Sequence, residues 1–124
     1  MYYNDFVKYG GMLWDHRLIH MTSGNMSIRK GSVIYVTRTG SLLGSLSSED
    51  IVSVNLENTA RDKGASSETP VHRAIYLANP VIQSVVHAHP PYATALSWDY
   101  ETIKPIDSDS LYIPEIPVLN LNEP

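Results

Sequence analysis

The sequence predicts a layered α/β domain whose sheet is at least partly antiparallel. Three observations point there. Met26-Ser27-Ile28-Arg29 and Val33-Ile34-Tyr35-Val36 are strand-like runs separated only by Lys30-Gly31-Ser32. A turn that short joins antiparallel neighbours. Strand and helix patterns are then mixed along the rest of the chain. With 124 residues, 43% of them hydrophobic, the chain can bury a core without disulfide staples, and its length suits one domain of about 100–150 residues.

Residues 5–20 read as a helix. Phe6, Tyr9, Met12 and Leu13 recur at helical spacing, and Trp14, Leu18 and Ile19 broaden the apolar surface. Gly10-Gly11 weakens its middle. Thr22-Ser23-Gly24-Asn25 is turn chemistry, followed by the hairpin. Thr39-Gly40-Ser41 ends the second strand. Leu46–Asp50 reads as a short capped helical turn before a strand over Ile51–Leu56, and 57–68 as a polar loop. Thr69-Pro70 fits an N-cap followed by proline at the first helical position. Val71, Ala74, Ile75 and Ala78 line one face of that helix, which stops at Asn79-Pro80. Ser84–His89 reads as a strand ended by Pro90-Pro91, and Tyr92–Trp98 as a short helix. The proline-rich tail carries extended pieces at Ile103–Ile106 and Ile116–Leu119. No internal repeat or low-complexity tract interrupts the reading of 1–124 as one domain.

Composition excludes several function classes. Nine Lys and Arg against thirteen Asp and Glu give a formal charge of −4 and a pI near 5.6, unlike a dedicated nucleic-acid binder. With no cysteine there is no thiolate zinc site and no thiol nucleophile. No apolar run approaches the roughly 20 residues of a membrane span. The N-terminus lacks the basic and apolar regions of a secretory signal. The expectation is a soluble cytoplasmic protein with no nucleic-acid or membrane partner.

His87-Ala88-His89 is the sharpest local feature. Residues two apart on a strand point to one face, so both imidazoles can reach one ion. The same pattern arises when two histidines merely line a sheet. Ser66-Ser67-Glu68 sets two hydroxyls and backbone N–H groups just ahead of a helix, which makes a plausible anion pocket with a carboxylate beside it. A polar capping loop has the same composition. Ser23-Gly24-Asn25 and Thr39-Gly40 allow close backbone approach to a ligand, as many turns do. Arg29 and Arg38 could help hold a phosphate, and surface cations are common. His16 and His20, four apart, have chelating spacing but fit polar positions near a helix C-terminus. His72, within the second helix, fits a structural role.

The ordered set is more specific than its parts. Ser23-Gly24-Asn25-Met26-Ser27-Ile28-Arg29, Thr37-Arg38-Thr39-Gly40, Ser66-Ser67-Glu68-Thr69-Pro70-Val71-His72-Arg73-Ala74-Ile75-Tyr76 and Val85-Val86-His87-Ala88-His89-Pro90-Pro91-Tyr92-Ala93-Thr94-Ala95-Leu96-Ser97 together resemble the class II aldolase/adducin family. The nearest members are the short prokaryotic L-fuculose-phosphate aldolases. The resemblance covers nearly the whole chain. It implies a three-layer α/β/α sandwich around a mostly antiparallel central sheet, and a homotetramer with active sites between subunits. It also implies that Asn25, Thr39, Gly40, Ser66 and Ser67 hold a substrate phosphate. It further implies that Glu68 moves the proton and that His87 and His89 bind a divalent metal, usually zinc. Cleaving a carbon–carbon bond beside a carbonyl leaves an enediolate, whose charge such a Lewis acid stabilises without a lysine Schiff base.

The chain departs from the family pattern twice. Family members supply a third histidine ligand in the C-terminal third of the domain, and no histidine follows His89. The chain therefore reads as C-terminally truncated, with a two-imidazole site that holds zinc weakly. The tyrosine of the fuculose-phosphate aldolases has no clear match either, and neither Tyr100 nor Tyr112 can be placed in that role. Ribulose-phosphate 4-epimerase, methylthioribulose-phosphate dehydratase and a non-catalytic, adducin-like assembly module are the alternative readings.

Overall fold

The structure is a computed structural model and describes residues 2–59, 62–113 and 115–119. The chain divides into two compact units, Met1–His89 and Pro90–Pro124. The first holds a four-stranded sheet of β1 (Asn25–Lys30), β2 (Val33–Thr37), β3 (Ile51–Asn55) and β4 (Ser84–His87), ordered β3-β2-β1-β4. Every neighbouring pair is antiparallel. Helices α1 (Tyr3–Asp15) and α2 (Thr69–Ala78) complete the unit. In the second unit, α3 (Pro91–Leu96) precedes a two-stranded ribbon of β5 (Thr102–Ile103) and β6 (Ile116–Pro117).

The period-2 alternation of the strands sends side chains to two separate cores. On one face, Met26 packs with Phe6 of α1 and with Ile19, Leu43 and Leu46, against partly buried Ile28, Tyr35 and Ile51. On the other, Ile34, Val36 and Val54 pack with Leu56, Ala65 and Tyr76 of α2. The sheet is thus the middle of three α/β/α layers, as the family resemblance implies. Gly10 sits where α1 meets the 3-10 turn Leu43–Ser45, and a Cβ there would collide with the Leu43 carbonyl oxygen. The glycine that weakens the helix is what lets this turn lie against it. No helix among the described residues is long and apolar enough to cross a membrane.

Two expectations need correction. The first helix stops at Asp15 rather than running to residue 20. Leu18 N–H bonds to the Leu13 carbonyl and Arg17 N–H to the Trp14 carbonyl, both at 2.9 Å, while Arg17 adopts φ 56°. This is a Schellman ending with arginine where glycine is usual, so the sequence carries no stop signal. The buried face of α2 is also not the apolar one. Thr69, His72, Arg73 and Tyr76 point inward, whereas Val71 and Leu77 are more than half exposed. The helix meets polar groups of β1, which select its polar face. Thr69 is the first helical residue and Glu68 occupies the N-cap, without a side-chain capping bond.

Arg73 anchors this arrangement. Its Nη2 lies 2.7 and 2.9 Å from the Asp62 carboxylate oxygens and also donates to the Asn55 carbonyl. The pair ties the long loop before α2 to the end of β3.

A left-handed backbone costs a non-glycine residue roughly 1–2 kcal/mol, and glycine returns roughly half of that through unfolded-chain entropy. Arg17→Gly is therefore expected to stabilise the protein by about 0.5–1 kcal/mol. Thermal denaturation checks this, and a lowered midpoint would show that the Arg17 side chain stabilises the ending instead.

Candidate active site

Three segments distant in sequence converge at one end of the sheet. β2 runs out through Thr37 into Thr39-Gly40. The loop before α2 is laced to that exit: Ser66 N–H donates to the Thr37 carbonyl, and Thr39 N–H to the Gly64 carbonyl, each at 3.0 Å. β4 pairs with β1 so that Asn25 stands opposite His87. Gly24, at φ 80°, lets the preceding turn pass beneath. A Cβ there would lie 2.6 Å from Ile19 Cγ2 and 2.9 Å from the His87 carbonyl oxygen.

The result is a polar cavity of about 210 Å³ lined by Asn25, Thr39, Gly40, Ser66, Ser67, Glu68, His87 and His89. The eight residues to which the family resemblance gives a role all line it. Arg38 and Thr22 also line it. Arg38 is exposed, with Nε donating to the Glu49 carbonyl. Arg29 is engaged elsewhere, donating to the Tyr76 and Gly31 carbonyls.

His87 ends β4, and His89 lies two residues beyond the strand rather than within it. Their rings nonetheless stack, with centroids 4.8 Å apart and planes inclined by 28°. Two neighbouring imidazoles are candidate donors to one divalent cation. Burial holds His89 below the ordinary imidazole pKa, aided by the neighbouring His87 and His20 and opposed by Glu68. A neutral imidazole is the form that binds a metal. The donor set thus fits a divalent cation through two imidazoles with a carboxylate on the same wall. Among the described residues, no three His, Asp or Glu gather around one point.

At the anion side, the Ser66 hydroxyl oxygen accepts the Glu68 N–H at 3.2 Å, leaving its own proton to donate. Asn25 is only 5% exposed, and its amide is held between His72 and His87.

Sequence reasoning gave two neighbours no place beside the site. His20 lies beyond the helix, and its ring meets His89 edge-on at a centroid distance of 6.2 Å. His72 is 1% exposed and sits directly behind Asn25. The only available signal was the buried face of α2, which an apolar pattern does not reveal.

Residues 4–124 match the model of the class II aldolase and adducin N-terminal domain. The chain belongs to the class II aldolase and adducin family. It is 37% identical over 93 residues to the L-fuculose phosphate aldolase of Methanococcus vannielii, which covers 75% of this chain and 51% of that protein. It is 36% identical over 97 residues to the methylthioribulose-1-phosphate dehydratase of Gluconobacter oxydans, covering 75% and 47%. The crystal structure of L-fuculose-1-phosphate aldolase from Thermus thermophilus superposes with a TM-score of 0.86 at 35% identity, over 93% of this chain and 60% of that one. The chain spans about half the length of the curated relatives it matches.

Burial pushes the His72 pKa down from 6.5 to about 4, with a smaller contribution from His87. The unfolded chain therefore binds this proton at higher pH than the folded one. Stability is complete above pH 6.5 and falls as the pH drops toward 4, by up to about 3 kcal/mol for a shift of that size. Urea midpoints of the metal-free protein at pH 7 and 4.5 measure the slope, and His72→Gln is expected to lose most of it. An unchanged slope in that variant would assign the titration to another group.

Proposed function

We propose that this chain carries the substrate-binding and proton-transfer part of a class II aldolase. The reaction cleaves a sugar phosphate such as L-fuculose 1-phosphate into dihydroxyacetone phosphate and an aldehyde. The observation that carries this reading is the single cavity that unites Thr39, Gly40, Ser66 and Ser67 with Glu68, His87 and His89. Its volume lies below the roughly 300–1,000 Å³ of sites for drug-sized ligands and suits a small phosphorylated fragment.

Ser66, Ser67, Thr39 and Gly40 would hold the phosphate with hydroxyl and backbone donors, and Asn25 stands at the edge of that pocket. Anchoring the phosphate fixes the reacting bond at the other side of the cavity. His87 and His89 would hold a divalent metal, zinc by the family resemblance. When bound, it supplies Lewis-acid stabilisation of negative charge developing on the substrate oxygens. Glu68 moves the proton. The Glu68 carboxylate would take the proton of the hydroxyl that becomes the aldehyde, the carbon–carbon electron pair would stay with the phosphorylated fragment, and Glu68 would hand that proton to the carbon. A carboxylate in the same cavity as the imidazoles supports this role.

A dehydratase reading has its own support in the similarity to the Gluconobacter protein. That reaction also moves a proton beside a carbonyl, so Glu68 keeps its role and the leaving group changes. An epimerase would break and remake the aldol bond. An adducin-like module would need no proton-transfer residue. The family resemblance also suggests a homotetramer. Two imidazoles hold zinc weakly, which sets the assay conditions.

The test offers L-fuculose 1-phosphate, ribulose 5-phosphate and methylthioribulose 1-phosphate to the protein at saturating zinc. Release of dihydroxyacetone phosphate from the first is the expected result. Glu68→Gln should lower turnover by about 10²–10⁴-fold while phosphate affinity is unchanged. Full turnover in that variant removes Glu68 from the chemistry. Water loss from the third substrate alone establishes the dehydratase.

A further inference from the structure

The candidate cavity carries one permanent cation. Among the described residues that line it, Arg38 alone is a lysine or arginine, and Glu68 is the one acidic residue. The chain as a whole has a formal charge of −4. A phosphate monoester brings about −1.5 to −2 more at pH 7. Hydroxyl and backbone N–H donors satisfy its oxygens but do not neutralise that charge. A pocket of Thr39, Gly40, Ser66 and Ser67 alone would hold the anion near a carboxylate, with no countercharge from the chain.

Arg38 is fixed at its root and free at its tip. Its backbone N–H donates to the Asp50 carbonyl at 2.7 Å, and its carbonyl accepts the Ser41 N–H at 3.2 Å. It also forms an antiparallel bridge with Ala65, on the loop that carries Ser66 and Ser67. Nε donates to the Glu49 carbonyl at 3.0 Å. A guanidinium has five N–H donors, so four remain on the two Nη atoms. None of these has a partner among the described residues, where the ion pairs are Arg73–Asp62 and Lys104–Glu115. The Asp50 carboxylate accepts from Ser47 and Ser41 instead.

Gly64 sets where that tip lies. A Cβ on Gly64 would stand 2.9 Å from Arg38 Nη1 and 3.8 Å from Cζ. The guanidinium therefore passes against the backbone of the loop, two residues before Ser66. Gly64 has φ 83°, a conformation that side chains rarely adopt, so the turn itself also favours leaving this space open. Arg38 thus lies along the loop that supplies the two serine hydroxyls. Its planar fork matches the oxygens of a phosphate, which a lysine ammonium meets only as a point charge.

We propose that Arg38 is a phosphate-binding residue of this cavity, and that its Nη donors supply the charge that holds a phosphate dianion there. The inference rests on the phosphate reading above and deepens it. It adds a charged donor to the hydroxyl and backbone donors, from a residue to which the family resemblance gives no role.

Amide ¹H–¹⁵N spectra of the metal-free protein, titrated with inorganic phosphate, read affinity and location together. In the wild type the Thr39, Gly40, Ser66 and Ser67 signals are expected to move together. The affinity is expected to fall several-fold between about 0.05 and 0.5 M sodium chloride, because salt screens the pairing. The net negative charge of the chain alone would give the opposite trend. Arg38→Gln is expected to weaken phosphate binding about tenfold and to lose most of the salt dependence. Arg38→Lys keeps the charge without the fork, and is expected to retain the salt dependence and recover part of the affinity. An arginine with a purely structural role would not give that pattern. Salt-independent binding in the wild type overturns the proposal without recourse to any variant. Equal affinity in wild type and Arg38→Gln, with the pocket signals still moving, overturns it too and leaves the phosphate pocket standing. If phosphate moves none of those signals in the wild type, the phosphate reading fails and the proposal with it.

Discussion

The polar layer buried between β1 and α2 is the constraint on which the rest of the molecule depends. Asn25 and Ser27 project from the inner face of a central strand, where apolar side chains would ordinarily sit. Buried polar groups are costly unless they are paired, so the helix that covers them must bring partners. His72 and Tyr76 are those partners, and their spacing sets the rotation of α2 about its axis. Once the helix is turned that way, Arg73 faces Asp62 and the Asn55 carbonyl and pins the loop that carries Ser66, Ser67 and Glu68. The loop of Ser66, Ser67 and Glu68 and the imidazole pair are therefore held by one set of hydrogen bonds.

Much of this was legible in the sequence where local chemistry decides. The β1–β2 hairpin follows from a short glycine turn between β-branched runs, and both strands lie within a residue of their expected bounds. The cavity residues were legible because their order along the chain resembles a known family, not because any one motif was decisive. Two features were hidden for physical reasons. The end of α1 depends on Arg17 taking a left-handed conformation, which arginine rarely adopts, so no glycine announced it. The inward face of α2 was concealed because burial there follows hydrogen bonding rather than hydrophobicity. Val71 and Ala78 look like core residues until the polar inner face of β1 is known.

The same distinction separates the two aspects of the site. Ser66, Ser67 and Glu68 are adjacent in sequence, so their grouping needed no tertiary information. The convergence of that loop with Gly40 needed its hydrogen bonds to Thr37 and Thr39, and its meeting with the imidazole pair needed the antiparallel pairing of β1 with β4. Asn25 stands where both meet. It lines the cavity, while its amide is engaged with His72 and His87. One side chain thus links the layer that holds the fold together to the cavity proposed to bind substrate. A substitution that repacks β1 against α2 reaches the chemistry through this residue, even without touching a ligand.

The proposed function requires one cavity to hold both an anion and a divalent metal. Crystals soaked with zinc and phosphate, measured at the zinc absorption edge, test it most directly. The account predicts a single anomalous peak between His87 and His89, with phosphate density against Ser66, Ser67 and Gly40. Zinc bound away from the histidine pair, or phosphate settled elsewhere while this cavity holds neither, would contradict it.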